Sequence, residues 1–512
     1  MEAASLRRGG PAALAQAVRD IAEERSRVFW IVVGLTAAGA LLRFATLGLQ
    51  SYHHDEVVTA ARILPGDFGQ AMDAVGYSES APPLYYALAW LWTQLTGTGE
   101  VGLRSLSALA GVATIPVAYF VGDELRGRRT GLMTAALVAV NPMLLWYSQE
   151  ARAYALLVLL CSLSLLFCLR AVRNGQRRDF VLWGLASGLA LATHYFAVFP
   201  IVVEAIVLAR RRRAASLPGL GITAAFGALL APLAIHQMSY GHAEWIGNLS
   251  LGHRLWETSA TFLTGETADI IGRPERPALA VVPLALCLAA FGLLAWRGGR
   301  EERRAAAVPL AIGAAAIGVP VALAIFPDGK DFVLARNVIP ALVPLLAVVA
   351  IGLTLPSARR LGAILAAALI AYSLGFCLWA SFSPDLQRPD WGAVASRLGE
   401  PQAPRAMVTW TLGEAPLRHE LGSGAFMVKA SERYDWMVHE IATVSEGKTP
   451  PLPRRMLGPG FRETALEDAG RLYIRRYRLP RPGLAPLRLR QLRHARLDFR
   501  TNGVLLDGVG PG

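Results

Sequence analysis

The chain has 512 residues, 54% of them hydrophobic and 17% charged, with a mean hydropathy of +0.38. A soluble chain carries about 25% charged residues, and here the apolar residues gather in blocks of the roughly 20 needed to cross a bilayer as a helix, which argues against a water-soluble protein and for a polytopic membrane one. The net charge of +13 suggests nucleic acid first, but much of the Arg sits in short clusters between apolar blocks, as at Arg126–Arg129, Arg170–Arg178, Arg210–Arg213, Arg297–Arg304 and Arg359–Arg360, which is the positive-inside pattern of membrane topology.

Residues 1–27 form a basic cytoplasmic segment with Arg7, Arg8, Arg19, Arg25 and Arg27. The apolar block that follows is longer than a signal-peptide core and no A-x-A site succeeds it, so it reads as an uncleaved first helix. Spans are predicted at 28–47, 103–121, 131–147, 153–169, 180–192, 196–209, 217–236, 277–296, 305–326, 338–355 and 361–381, about eleven helices. The two near 180–209 are short and read as a tight hairpin bracketed by basic clusters. Residues 82–96, PPLYYALAWLWTQLT, are apolar and aromatic, yet a crossing there would invert every later basic cluster. They read as a juxtamembrane or re-entrant segment. Residues 48–102 are then one outer loop, 28–381 a transmembrane domain, and 382–512 an outer domain of mixed helix and strand. In that tail Asp390-Trp391 opens a helix, and AMVTWT and LYIRRYRL read as strands. The four cysteines, Cys161, Cys168, Cys287 and Cys377, lie inside apolar blocks without metal-type spacing and read as packing residues.

Chemistry is concentrated on the outer side. Ser51-Tyr52-His53-His54-Asp55-Glu56 follows the first helix, setting two carboxylates and two imidazoles at a membrane boundary, where charge is costly unless used or paired. One reading makes Asp55 a general base and Glu56 a positioner of substrate or an ion; the other is a polar helix end. Ser148-Gln149-Glu150-Ala151-Arg152-Ala153-Tyr154 stands at a second helix mouth, where a local ion pair is the alternative. His194-Tyr195 is wedged between two short apolar segments, and interfacial packing is the alternative there. Outer cations are scarce: Arg104, Lys330 and Arg336 either grip a lipid phosphate or snorkel to headgroups.

In this order the residues resemble a known group. His54-Asp55-Glu56, Ala81-Pro82-Pro83-Leu84-Tyr85-Tyr86, Leu103-Arg104-Ser105, Ser148 to Tyr154, His194-Tyr195 and Phe332-Val333-Leu334-Ala335-Arg336 make the chain similar to bacterial C-type membrane glycosyltransferases. Among these it resembles the dolichyl-phosphate-mannose–protein mannosyltransferase family (glycosyltransferase family 39) and the lipid A aminoarabinose transferases. Two departures stand out: histidines precede the Asp-Glu pair where the family often has an aromatic, and Ala81 replaces the usual His before Pro-Pro-Leu. The resemblance covers about 28–381. It implies an all-α polytopic bundle of the C-type glycosyltransferase fold with a small mixed α/β C-terminal extracytoplasmic domain, in a bacterial plasma (inner) membrane.

It also implies inverting hexosyl or pentosyl transfer from a polyprenyl-phosphate sugar donor to a glycan, lipid or protein acceptor. Asp55 corresponds to the catalytic carboxylate of the first loop and Glu150 to the second acidic position, with Glu56 beside them. With the residue reading it gives His53, His54, Tyr85, Arg104, Arg152, Tyr154, His194, Tyr195, Lys330 and Arg336 as substrate-binding candidates. Membrane lipids are partners and nucleic acid is not; no metal ligands are assigned, and a divalent cation stays open. The chemistry is self-consistent: a carboxylate takes the proton of the attacking hydroxyl, and an anionic lipid phosphate leaves without a general acid if cations receive it. The competing readings are a transporter or lipid flippase, against which the acidic residues at one face and the missing inverted repeats argue, and a metal-dependent hydrolase, for which four adjacent ligands are poor geometry.

Overall fold

Inside hydrocarbon every backbone N–H and C=O must be satisfied within its own segment, so the long apolar runs become helices. The computed structural model describes residues 11–241, 246, 250–267, 278–326, 331–428, 436–495, 497 and 502–508; Lys330 lies outside them. Among the described residues seven helical runs are long and apolar enough to cross a membrane, or eight if the pair Arg128–Val140 and Pro142–Ser148, bent by 58°, is one span.

Fewer than the expected eleven spans meet that length and composition among the described residues, for local reasons. The run Tyr195–Met238 counts once but holds two helices, Val198–Arg212 and Leu217–Met238, parted by a 3₁₀ turn at Arg213–Ser216. Helices Arg177–Thr193 and Leu342–Leu353 have 17 and 12 residues, short of the usual crossing length. The bent pair breaks at Asn141, whose side chain caps the second helix by accepting from the Leu144 N–H at 3.0 Å, with Pro142 at the first helical position.

The chain forms two compact units. One comprises Met1–Ala45, Met72–Trp92 and Arg104–Leu378; the other comprises Thr46–Ala71, Thr93–Leu103 and Trp379–Gly512. In the first unit the arginine clusters meet at one end. Arg126 pairs with Glu301 at 2.8 Å and with Glu302, Arg128 with Glu24 at 2.7 Å, and Arg173 with Glu124 at 2.6 Å. Arg212 Nε donates to the Val172 carbonyl at 2.9 Å, and Ser357 to that of Arg297 at 2.9 Å. These bonds fix which helix ends lie together.

At the opposite end Tyr195 donates to Gln237 at 2.8 Å, and Gln237 donates to the carbonyls of Val75 and Ala81 at 3.0 and 3.1 Å. Helix Leu84–Thr96 has 13 residues, about 20 Å against roughly 30 Å of hydrocarbon. Its Tyr85 hydroxyl bonds Ser107 at 3.1 Å, and its Trp92 indole bonds Ser105 at 2.9 Å. Both partners lie in the opening turns of helix Glu100–Arg126, so this segment stays at one end.

Packing in the membrane unit is close. A Cβ on Gly184 would stand 2.7 Å from the Gly219 carbonyl, and one on Gly219 2.4 Å from that of Phe180, so these glycines let helices Arg177–Thr193 and Leu217–Met238 approach backbone to backbone. All four cysteines are buried. Glu204, within helix Val198–Arg212, is also buried and accepts from Ser164 and from the Trp183 indole at 2.7 Å.

The second unit contains a six-stranded mixed sheet in the order β2-β8-β1-β4-β6-β5: β1 Arg405–Trp410, β2 Phe426–Met427, β4 Glu440–Glu446, β5 Arg462–Ala469, β6 Leu472–Arg478 and β8 Asn502–Asp507; β3 Met437–Val438 and β7 Ala485–Pro486 form a separate pair. β1 and β4 run parallel, and the other pairs antiparallel. Met407, Ala442, Ile474 and Leu505 bury one face against Trp391, Val394 and Leu417. Arg405 is buried and bonds Asp507 at 2.6 Å and the Leu398 carbonyl at 2.7 Å. The basic run of β6 turns to its neighbours: Arg475 pairs with Glu463, Arg476 with Glu440 and Glu467, and Arg478 with Glu440.

Candidate active site

The candidate residues fall into two groups, one in each unit. In the second unit the chain leaves Tyr52 in extended conformation and enters a one-turn helix, His54–Val57, continued by a π-helical turn, Val58–Ile63; single π turns are frequent at functional sites. Glu56 is buried and accepts from the His53 N–H at 3.0 Å. It satisfies a donor that the helix start would otherwise leave open. Asp55 is half-buried and follows His54, whose Nδ1 lies 3.1 Å from the Leu412 carbonyl. A carbonyl only accepts, so that nitrogen carries the proton. The two carboxylates therefore differ: Glu56 closes the loop on itself, and Asp55 is the more open.

The first unit holds the remainder. Asn141 and the bend behind it aim helix Pro142–Ser148 so that the chain turns at 149–153 before helix Tyr154–Asn174 begins. Glu150 in that turn is buried. Arg152 places its two terminal nitrogens on Glu79 at 2.7 and 2.8 Å, lies 5.9 Å from the Tyr86 ring centroid, and its carbonyl accepts from Ser107 at 3.2 Å. The expected Glu-x-Arg neighbourhood thus has a third member, Glu79, which the residue reading missed. Its only local signal is a charge placed just ahead of Ala81-Pro82-Pro83.

A chain of rings follows. Tyr147 meets Tyr154 at 4.7 Å, Tyr154 meets His194 at 5.8 Å, His194 meets Phe196 at 5.3 Å, and Phe196 meets Phe332 at 5.5 Å. Tyr147 also bonds Glu266. His194 Nδ1 accepts from the Phe196 N–H at 3.3 Å, which leaves the proton on Nε2. Burial, reinforced by the positive charges of Arg152 and Arg336, holds this imidazole down at about 3, so it is neutral. Tyr195 points instead to Gln237 and serves the packing of its helix.

The segment 331–338 is a shaped turn. Asp331 pairs with buried Arg254 and accepts from the Val333 N–H at 3.1 Å; Asn337 bonds the Phe332 carbonyl at 2.9 Å. Half-buried Arg336 projects from this turn, whereas Arg104 is buried in the first turns of helix Glu100–Arg126. Of the two, Arg336 is the less buried. Among the described residues no cluster of three or more His, Cys, Asp or Glu is arranged to hold a metal ion.

Comparison adds a family likeness. Residues 80–236 match the family model described as dolichyl-phosphate-mannose-protein mannosyltransferase. That range takes in Ala81-Pro82-Pro83, Leu103-Arg104-Ser105, Ser148 to Tyr154 and His194-Tyr195. Among solved structures, ArnT from Cupriavidus metallidurans in the apo state aligns at 18% identity and a TM-score of 0.46, over 72% of this chain and 70% of that one. ArnT bound to undecaprenyl phosphate aligns at 16% and 0.37, over 87% and 97%. The Archaeoglobus fulgidus oligosaccharyltransferase in complex with Zn and sulfate aligns at 14% and 0.44, over 72% of this chain and 55% of that one. The chain therefore spans about half of that oligosaccharyltransferase. A search of curated proteins gives no significant match.

Proposed function

We propose that this chain is a glycosyltransferase that moves a sugar from a polyprenyl-phosphate donor to an acceptor on the outer face of a bacterial plasma membrane. The observation that carries the reading is the match of residues 80–236 to the mannosyltransferase family model. The arginine-rich end of the first unit supports the orientation, since clustered Arg marks the cytoplasmic side and the candidate residues of that unit lie at the other end. In this reading 28–381 is the transferase domain and 382–512 an extracytoplasmic domain.

Asp55 is the general base. It takes the proton of the acceptor hydroxyl as that oxygen attacks the anomeric carbon, and the sugar–phosphate bond breaks on the opposite side with inversion. The departing lipid phosphate needs charge to receive it, not a proton, and Arg336 with Lys330 supplies that charge. Neutral His194 offers an Nε2–H donor without adding a second positive charge, and Glu150 orders the turn beside it. Asp55→Asn removes the base while keeping size and polarity. Purified in detergent and assayed with a panel of polyprenyl-phosphate sugars, this variant is expected to bind donor and lose turnover. Near-normal transfer would refute the assignment.

A further inference from the structure

We propose that Ser51 and Asp390 are positioning residues that fix the loop bearing Asp55, making the C-terminal domain the mount of the base. The inference rests on the reading of Asp55 as the base. The loop supplies little order of its own: a single helical turn and a π turn follow Tyr52. A base has to be held to about 0.5 Å of its working position, and a displacement near 1 Å can cost on the order of 100-fold in rate. Something beyond the loop must hold it, and within the second unit that is the segment after the last membrane helix.

Four of the five residues before Asp55 meet that segment: Gln50, Ser51, Tyr52 and His54. Gln50 Oε1 accepts from the Arg388 N–H at 3.3 Å. The Ser51 hydroxyl donates to Asp390 Oδ1 at 3.0 Å and accepts from the Gly392 N–H at 3.0 Å. The Tyr52 ring is buried, 5.6 Å from that of His419, and its hydroxyl donates to the Thr98 carbonyl at 2.7 Å. No residue intervenes before His53, whose N–H is closed by Glu56, and His54 is bonded to the Leu412 carbonyl. Asp390 is the pivot: the same Oδ1 that receives Ser51 also caps helix Trp391–Leu398 through the Ala393 N–H at 2.9 Å. One carboxylate oxygen thus joins the start of a tail helix to the irregular segment that leads into Asp55. Domain and loop are separated by more than 300 positions in the chain, so the contact exists only in the assembled fold.

The test separates holding from folding. Ser51→Ala leaves the Asp390 helix cap intact and is expected to lower kcat about tenfold with donor KM within about twofold, at an unchanged melting temperature. Asp390→Asn keeps an acceptor for both Ser51 and the cap and is expected to stay close to wild type, while Asp390→Ala loses both and falls at least as far as Ser51→Ala. Rates are taken per donor-binding site, so a smaller folded fraction does not count as a slower enzyme. If Ser51→Ala melts early, the Asp390→Ala and Asp390→Asn rates, compared below both melting temperatures, decide in the same way. Wild-type kcat in Ser51→Ala and Asp390→Ala, with Asp55→Asn inactive, overturns this inference alone. Full turnover by Asp55→Asn overturns the assignment of the base itself.

Discussion

Glu79 and Arg152 offer the sharpest energetic test of the membrane unit. Their side chains are 5% and 12% exposed and share two bonds at 2.7 and 2.8 Å, so solvent screens them little. Each charge-assisted bond is worth about 1.5–3 kcal/mol, but both charges have also left water, and a buried pair gains little over an apolar pair of the same volume. Removing one partner is different, because the other charge stays behind without its counter-ion. Glu79→Ala is expected to destabilise the unit by about 3 kcal/mol, the low end for a broken buried pair, since the Tyr86 face retains part of the attraction for the guanidinium. Arg152→Ala should cost a similar amount. The double variant should cost clearly less than the two singles together, with a coupling of about 2 kcal/mol. Unfolding by titration with a denaturing detergent, followed by Trp fluorescence, measures all four proteins. Additive costs would show that the pair is not acting as one element and would refute the reasoning.

Arg336→Ala should weaken binding of a polyprenyl-phosphate donor by about 2 kcal/mol, the scale of a lost charge-assisted contact, with no comparable loss for Arg336→Lys; unchanged binding in a filter or calorimetric assay would remove Arg336 from the phosphate site. The His194 imidazole, held at about 3 in the fold and near 6.5 when unfolded, binds more protons unfolded between those values, so stability rises with pH across that window and falls as pH drops below about 6.5. His194→Gln should flatten that slope in melting curves taken from pH 4 to 7, and an unchanged slope would mean the histidine is already exposed. A reporter fused after Arg129 should report the cytoplasm, and an outside signal would mean that 82–96 crosses the membrane.

The parts that were legible in the sequence are those set by local composition. The apolar runs around 153–169 and 361–381 announce helices because span length and hydropathy are written contiguously. AMVTWT and LYIRRYRL announce β1 and β6 through their β-branched and aromatic residues. The bend at Asn141 was also written, in an Asn-Pro pair, but a span reading passes over it because hydropathy barely changes there. Glu79 could not be found in this way: its partner lies 73 positions away, and nothing near it distinguishes a buried carboxylate from a surface one. Asp390 was visible as a helix opener, yet its second bond, to Ser51, depends on two segments meeting in the second unit. Long-range packing decided which residue near each motif holds another in place.

Among the described residues the sheet leaves β5 on its outside, paired with β6 on one side only. An unpaired strand edge is a template on which a second protein can add a strand. Crowded in two dimensions, copies of the chain would meet edge to edge far more often than in solution. β5 reads RETALEDA, places Arg462, Glu463, Glu467 and Asp468 along that edge, and breaks register between Glu463 and Ala465. Charge and the kink together make a poor partner for another strand, so the domain can be dense on a surface without zipping into chains. Replacing Glu463 and Glu467 by Val would remove two of those charges and free Arg475 and Arg476 from them, and concentration-dependent association through the tails is the consequence to look for.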